Sequence, residues 1–381
     1  MGLYEWFGGF GSTIVGYLVP FLFVLTVVVF VHELGHFLVA RLFGVAVKVF
    51  SIGFGPEIFA LVDRRGTRWR LSVIPLGGYV KFLGDENEVS ATDRAALARM
   101  GPAERSLAFA GKPVTARAAI VAAGPLANFL LAIAIFTAIF SLYGREVMTP
   151  RVDTVVAGSA AERAGFEPGD TIVSIDGRPI GSFNDLQRVV SFSAERDLDI
   201  IVRRGDREIT LSAAPERQDV TDRFGNQHRV GVLGIARDAR GGDIVTERFS
   251  VPEAAWVATQ ETWFVAERTL AYLAAVVIGR ESADQLGGPL RVAEVSAQVA
   301  TLGFVALVNL AAILSISIGL INLFPIPMLD GGHLLFFAIE AVRGRPLSER
   351  VQEIGLRIGF ATVVMLMVFA TWNDIIHLSS L

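Results

Sequence analysis

The pentapeptide His32-Glu33-Leu34-Gly35-His36 closes an uncharged run from Trp6 to Val31, so a metal-binding signature stands in a stretch that reads as a membrane-spanning helix. On an α-helix, residues four apart project from nearly the same face with a rise of about 6 Å, so His32 and His36 can reach one metal ion. Glu33 lies one position along, close enough to act as the general base on a water held there. Two imidazoles and a carboxylate at the edge of an apolar helix are costly, and such groups face a protein interior or a water-filled cavity where they work. The plain alternative is a helix end emerging into water with incidental polar residues.

Of 381 residues, 52% are hydrophobic and only 19% charged, which is a membrane-protein composition. Since roughly 20 apolar residues cross a bilayer core, four stretches qualify: about 13–37, 117–143, 304–325 and 356–373, the last being the shortest. The first is expected to stay as an anchor, because Glu5 stands where a cleavable signal peptide would carry basic residues. Val251 to Ile278 is apolar but interrupted by Glu253, Glu261, Glu267 and Arg268, which suits an amphipathic helix on the membrane surface or against the bundle. Lys48, Arg64, Arg65, Arg68, Arg70, Lys81, Arg105 and Lys112 place 44–114 in the cytoplasm by the positive-inside rule, and Arg343, Arg345 and Arg350 put the last connection on the same side. Both termini and 145–303 then lie outside the cytoplasmic membrane. A net charge of −4 gives no reason to expect a nucleic-acid partner, and with no cysteines any zinc site must use His and carboxylate.

Residues 145–215 change character to short alternating strands, Gly turns and two helices. Gly158-Ser-Ala-Ala-Glu-Arg-Ala-Gly165 and Pro168-Gly169-Asp170 to Asp176-Gly177 predict a short helix, a turn, a buried strand and an Asp-Gly hairpin turn. This pattern resembles a bacterial PDZ domain, whose helix Phe183 to Val190 would flank a groove for an extended peptide; a sheet domain acting only as a spacer is the alternative. Residues 216–250 read as a linker with one short strand near Val230 to Ile235. Ser51-Ile-Gly53-Phe-Gly55-Pro and Leu71 to Phe82, with Gly77 and Gly78, alternate like strands directly after the metal-binding helix. A hairpin dipping toward the membrane would be tolerated only where protein buries its backbone or water reaches it. An ordinary cytosolic sheet fits the same residues.

Two histidines leave a catalytic zinc one protein ligand short. Val295 to Leu329 carries no charge, and then Asp330 appears in Asn322-Leu-Phe-Pro325-Ile-Pro327-Met-Leu-Asp330-Gly331-Gly332-His333. The two prolines break the helix and free backbone groups, which suits a bend lining a site. His333 rivals Asp330 as third ligand, and a cap on the next helix is the alternative role for Asp330.

Taken together, these motifs resemble the site-2 protease family of intramembrane zinc metalloproteases, of the RseP (regulator of sigma-E protease) type. The resemblance covers nearly the whole chain: HELGH, GFGP, PLGGYVKFLGD, Arg117-Ala-Ala-Ile-Val-Ala-Ala-Gly-Pro-Leu-Ala-Asn128-Phe, a PDZ domain and NLFPIPMLDGGH, in order. It implies Zn²⁺ held by His32, His36 and Asp330, Glu33 as catalytic base, and substrate backbone bound by Asn322 and by strands carrying Gly53, Gly55, Gly77 and Gly78. The expected architecture is a polytopic α-helical membrane protein of about four transmembrane helices with a membrane-associated β-hairpin or sheet and an inserted periplasmic PDZ domain. Its divisions are 1–44, 45–114, 115–144, 145–215, 216–303 and 304–381. The resemblance further implies a bacterial inner membrane, an active site toward the cytoplasm, contact with membrane lipids, and single-pass membrane substrates such as a trimmed anti-sigma factor or signal-peptide remnants. Well-known members carry two tandem PDZ domains where this chain has room for one. A transporter with buried polar groups, or an inactive PDZ scaffold, are the other classes; no inverted repeat supports the first, and intact Glu33 argues against the second.

Overall fold

The computed structural model describes residues 3–84, 99–221, 227–237, 244–279 and 287–380, and the chain forms two compact units, 1–139 with 254–381 and 140–253. Helix α1 (Leu3–Leu42) runs unbroken through Pro20 and continues past His36, so the HExxH segment lies within the helix rather than at its end. Strands β1 (Val47–Val62) and β2 (Arg68–Phe82) follow. They pair antiparallel with repeated register shifts, so that Phe50 stands beside both Val80 and Trp69, and Arg70 beside both Ser51 and Ala60. Each strand therefore doubles back on itself. In β1 the reversal uses Gly53 and Gly55 at φ +88° and +84°, a conformation that a residue with a Cβ adopts at a cost. Arg41 at the end of α1 ties the sheet down: it pairs with Asp63 and donates to Thr67 Oγ1 at 2.8 Å, whose hydroxyl donates in turn to Val47 O at 2.8 Å. Burial pushes the Asp63 carboxyl up, but the Thr67 N–H, the Trp69 indole and Arg41 outweigh it and hold it at about 2.

Helix α2 (Pro102–Leu107) leads into α3 (Val114–Leu142). A Cβ on Gly35 would collide with the Ala123 carbonyl oxygen, and one on Gly124 would collide with the His36 ring. Small residues let helix backbones approach closely, and here they let the imidazole lie against α3.

The second unit holds β3 (Arg145–Met148), β4 (Thr154–Val155), α4 (Ala160–Ala164), β5 (Thr171–Ile175), β6 (Arg178–Pro179), α5 (Phe183–Ser191), β7 (Leu198–Arg204) and β8 (Arg207–Ala213). Its sheet has the order β6-β5-β7-β8, antiparallel throughout. Alternation in β7 sends Leu198, Ile200 and Val202 inward against Ile172, Ile175 and Leu186. Ser159 and Ser182 cap the two helices by accepting from the N–H of Glu162 and Asp185. The described residues of the region read from sequence as a linker with one short strand are paired: β9 (Glu216–Thr221) runs antiparallel to β10 (Gln227–Val232), β11 (Ile235–Ala236) pairs with β4, and β12 (Ile244–Glu247) pairs with β3. Its polar residues hid this, because β9 and β10 are held by backbone pairing, and the buried apolar residue beside them, Leu233, follows the second strand.

The first unit resumes in α6 (Val251–Val277), which buries only Ala254, Ala258, Thr262 and Ala266 and leaves Trp256 and Trp263 exposed. Helix α7 (Pro289–Ala300) receives its cap from afar, since the Asp374 carboxylate accepts from the N–H of Gly288, Leu290 and Arg291 at 2.8–3.1 Å. Then come α8 (Phe304–Asn322), α9 (Asp330–Arg343) and α10 (Glu349–Ser380). Among the described residues, four segments are long and apolar enough to cross a membrane: Val15–Leu42, Val114–Leu142, Phe304–Asn322 and Arg350–Ile376. The last, expected from sequence to be the shortest, extends through charged Arg350, Glu353 and Arg357, because a helix needs no apolar residue at its ends to continue.

Candidate active site

Within the first unit a cavity of about 400 Å³ is lined by His32, Glu33, His36, Asn322, Asp330 and His333, with Phe54, Gly77 and Gly78 on one wall. The two histidines reach it from one face of α1, and Asp330 arrives as the first residue of α9. It does not cap that helix, whose N-cap is Leu329. Its place is set by the two glycines that follow: a Cβ on Gly331 would strike the carbonyls of Leu323 and Phe324, and one on Gly332 the carbonyl of Ile326 and the Cα of Pro327. Only with both glycines does the first turn of α9 fit against the 323–327 bend. Met328 in that bend takes φ +90°, strain that only a strongly determined surrounding sustains.

His36 Nδ1 donates to the Ile120 carbonyl at 2.9 Å, which leaves Nε2 with its lone pair toward the cavity. Nε2 of His36 lies 3.2 Å from Nε2 of His32, which is itself 3.2 Å from Asp330 Oδ2; His36 Nε2 to Asp330 Oδ1 is 3.5 Å. Tetrahedral coordination with bonds of about 2.1 Å puts neighbouring ligand atoms about 3.4 Å apart, so the three side chains already stand at the spacing of a zinc half-shell. Asp330 Oδ2 is buried without a well-formed hydrogen bond, a costly state that a cation between the three groups would relieve. No other trio of His, Cys, Asp or Glu among the described residues gathers its ligand atoms within 4.8 Å. His333 lines the cavity but lies outside that trio.

Glu33 is buried beside the trio, and a Cβ on Gly78 would lie 2.8 Å from Glu33 Cγ, so β2 crosses directly over the carboxylate side chain. Gly77 gives room in the same way to Phe54, whose ring stacks on Tyr79 at 6.1 Å. Gly53 and Gly55 do not line the cavity; they turn the chain so that Phe54 does. Sequence reasoning gave no role to Gly35, Gly124, Gly331 or Gly332, although each sits inside a motif that it singled out.

The profile of peptidase family M50 matches residues 20–366. The "Putative zinc metalloprotease Atu1380" of Agrobacterium fabrum is 50% identical over 360 residues, covering 94% of this chain and 96% of that protein. "Metalloprotease MmpA" of Caulobacter vibrioides is 42% identical over 381 aligned positions, covering 94% of this chain and 95% of its own. With the match spanning most of its length and these relatives aligned from end to end, the chain belongs to peptidase family M50.

Proposed function

We propose that this protein is an intramembrane zinc endopeptidase that cuts membrane-spanning segments of single-pass proteins, with zinc on His32, His36 and Asp330. The observation that carries the reading is the His-His-Asp trio with an orphaned carboxylate oxygen, its two histidines set in a helix long enough to cross a membrane. Zinc held by these three side chains would supply a Lewis acid for the scissile carbonyl and lower the pKa of the attacking water toward neutrality. Glu33 takes that water's proton and returns it to the leaving amine; no covalent intermediate is needed. A peptide bond inside a helix is shielded by its own hydrogen bonds, so the substrate must be extended first. Gly77 and Gly78, on the β2 segment over Glu33, offer an edge on which an unwound substrate strand adds, and Asn322, at the end of α8, hydrogen-bonds its backbone.

The basic residues of the β1–β2 sheet favour a cytoplasmic position for it, and with four spans the second unit then falls on the periplasmic side of a bacterial inner membrane. Its four-stranded sheet flanked by α5 supports a PDZ domain. A trimmed anti-sigma factor or a signal-peptide remnant is the substrate class, which makes the reaction a step in regulated intramembrane proteolysis. The test is cleavage of a model single-pass substrate in detergent or liposomes by wild type and Glu33→Gln. Cleavage by the first, inhibition by a zinc chelator and inactivity of the second support the reading; equal turnover by both variants refutes it.

A further inference from the structure

Asn128 is fully buried in α3, a helix able to cross a membrane, and its Oδ1 finds no hydrogen-bond partner among the described residues. A carboxamide in such a place is costly unless it does something. It stands one helical turn beyond Gly124, the residue that admits the His36 ring, so the two lie on the same face of α3. Its backbone carbonyl accepts from Ser315 Oγ of α8 at 2.9 Å, and a Cβ on Gly319 would lie 3.3 Å from Asn128 Cβ. Its side chain reaches His32 Nδ1, with Nδ2 3.3 Å away.

His32 decides which end of the carboxamide belongs there. Nε2 of His32 faces Asp330 and His36, so to bind a metal it must be bare, and the ring hydrogen must then sit on Nδ1. A hydrogen on Nδ1 needs an acceptor, which the carboxamide nitrogen is not. A half turn of the amide, identical in shape, presents Oδ1 instead. Either orientation leaves one amide atom without a partner, so the choice is governed by the stronger bond, an N–H···O from a metal-polarised imidazole rather than a weak N–H···N contact.

We propose that Asn128 is a positioning residue for the metal site: its Oδ1 accepts from His32 Nδ1–H, fixing the tautomer and ring orientation that turn Nε2 to the metal. His36 obtains the same service from the Ile120 carbonyl. Asn128 touches neither the metal nor the substrate. The inference rests on the His-His-Asp ligand reading above.

The test is zinc affinity of the purified full-length protein, measured by competition with a chromophoric chelator, for wild type, Asn128→Leu, Asn128→Asp and Asp330→Ala, with helix content checked for each. Asn128→Leu should weaken zinc binding about 10- to 100-fold, the usual effect of losing such a partner. Asn128→Asp, an acceptor of the same shape, should bind zinc at least as tightly as wild type. A merely structural role would not separate these two variants. Wild-type affinity in Asn128→Leu overturns the inference, and so does loss of affinity in Asn128→Asp; should the leucine variant fail to fold, the aspartate variant alone decides. Asp330→Ala separates the two levels: if it loses zinc while Asn128→Leu does not, only this inference fails, whereas full zinc in Asp330→Ala removes the ligand reading and this inference with it.

Discussion

Two aspartates with buried carboxylate oxygens, one in each unit, show the difference between a carboxylate that builds a fold and one that builds a site. Asp170 has no exposed side-chain surface, and its partners are complete: Arg204 Nε at 2.7 Å, a second Arg204 nitrogen at 2.8 Å and the Glu167 N–H at 2.9 Å. Asp330 keeps 16% of its side-chain surface exposed, yet its buried Oδ2 has no well-formed hydrogen bond and both of its oxygens face imidazole nitrogens. Natural proteins satisfy buried polar groups, so an exception calls for an explanation such as a missing ion. The contrast teaches that burial alone does not mark function; incomplete satisfaction next to other ligand atoms does.

The largest effect should come from the group that works beside the trio without belonging to it. Glu33→Gln removes the proton acceptor and leaves the imidazoles, so cleavage should fall at least about 10²-fold while zinc stays bound; turnover and zinc content on the same preparation check it. The two aspartates should then fail in opposite ways. Asp170→Ala strands Arg204 and should destabilise the second unit by about 3 kcal/mol, at the low end for a broken buried pair because Arg204 is 29% exposed. Zinc content should not change. Hydrogen exchange over 198–213 measures the first effect and metal analysis the second.

Acid should sharpen the same contrast. Burial pushes the Asp170 carboxyl up, but Arg204 and the Glu167 N–H outweigh it and hold it below the ordinary carboxylate range. A carboxyl lowered on folding contributes stability that is complete above its unfolded pKa, about 3.9, and is lost as pH falls through the folded value. The protection gap between wild type and Asp170→Asn over 198–213 should therefore be constant from about pH 7 to 5 and close progressively below about pH 4. A gap that widens with acid would reverse the sign. The smallest effect on zinc is expected from His333→Ala, which lines the cavity outside the trio and should keep its metal. Loss of zinc there would restore His333 as a ligand.

What could be read from the sequence follows the same line. His32, Glu33 and His36 were legible because helical periodicity converts their spacing into a shared face, and the four apolar stretches because bilayer thickness fixes a length. Asp330 was legible as a lone charge after a long uncharged run, but its rivalry with His333 was a matter of three residues on one turn that only coordinates separate. The glycines at 35, 124, 331 and 332 act by lacking a side chain where other backbone or a ring passes; the partners of Gly35 and Gly124 are distant in sequence and leave no local signal, and those of Gly331 and Gly332 come close only through the 323–327 bend. A strand near Val230 was read from sequence, but its antiparallel partner β9 was not, because polar residues paired through backbone look like a linker. The β3–β12 pair has a practical use, since Arg145 pairs with Glu247 and the second unit's two ends therefore meet. Excising 149–243 while keeping β3 and β12 should leave a zinc-loaded first unit. If that protein cleaves an untrimmed substrate which the full chain refuses, the second unit excludes by size; if it no longer cleaves trimmed substrate, the unit recruits.

The central claim, that His32, His36 and Asp330 share one zinc ion, is tested most directly by zinc K-edge X-ray absorption on Glu33→Gln and on the same protein with Asp330→Ala. The account expects two imidazole nitrogens and a carboxylate oxygen at about 2.0–2.2 Å in the first, and little or no zinc in the second. An unchanged spectrum and full zinc content after Asp330→Ala would contradict it.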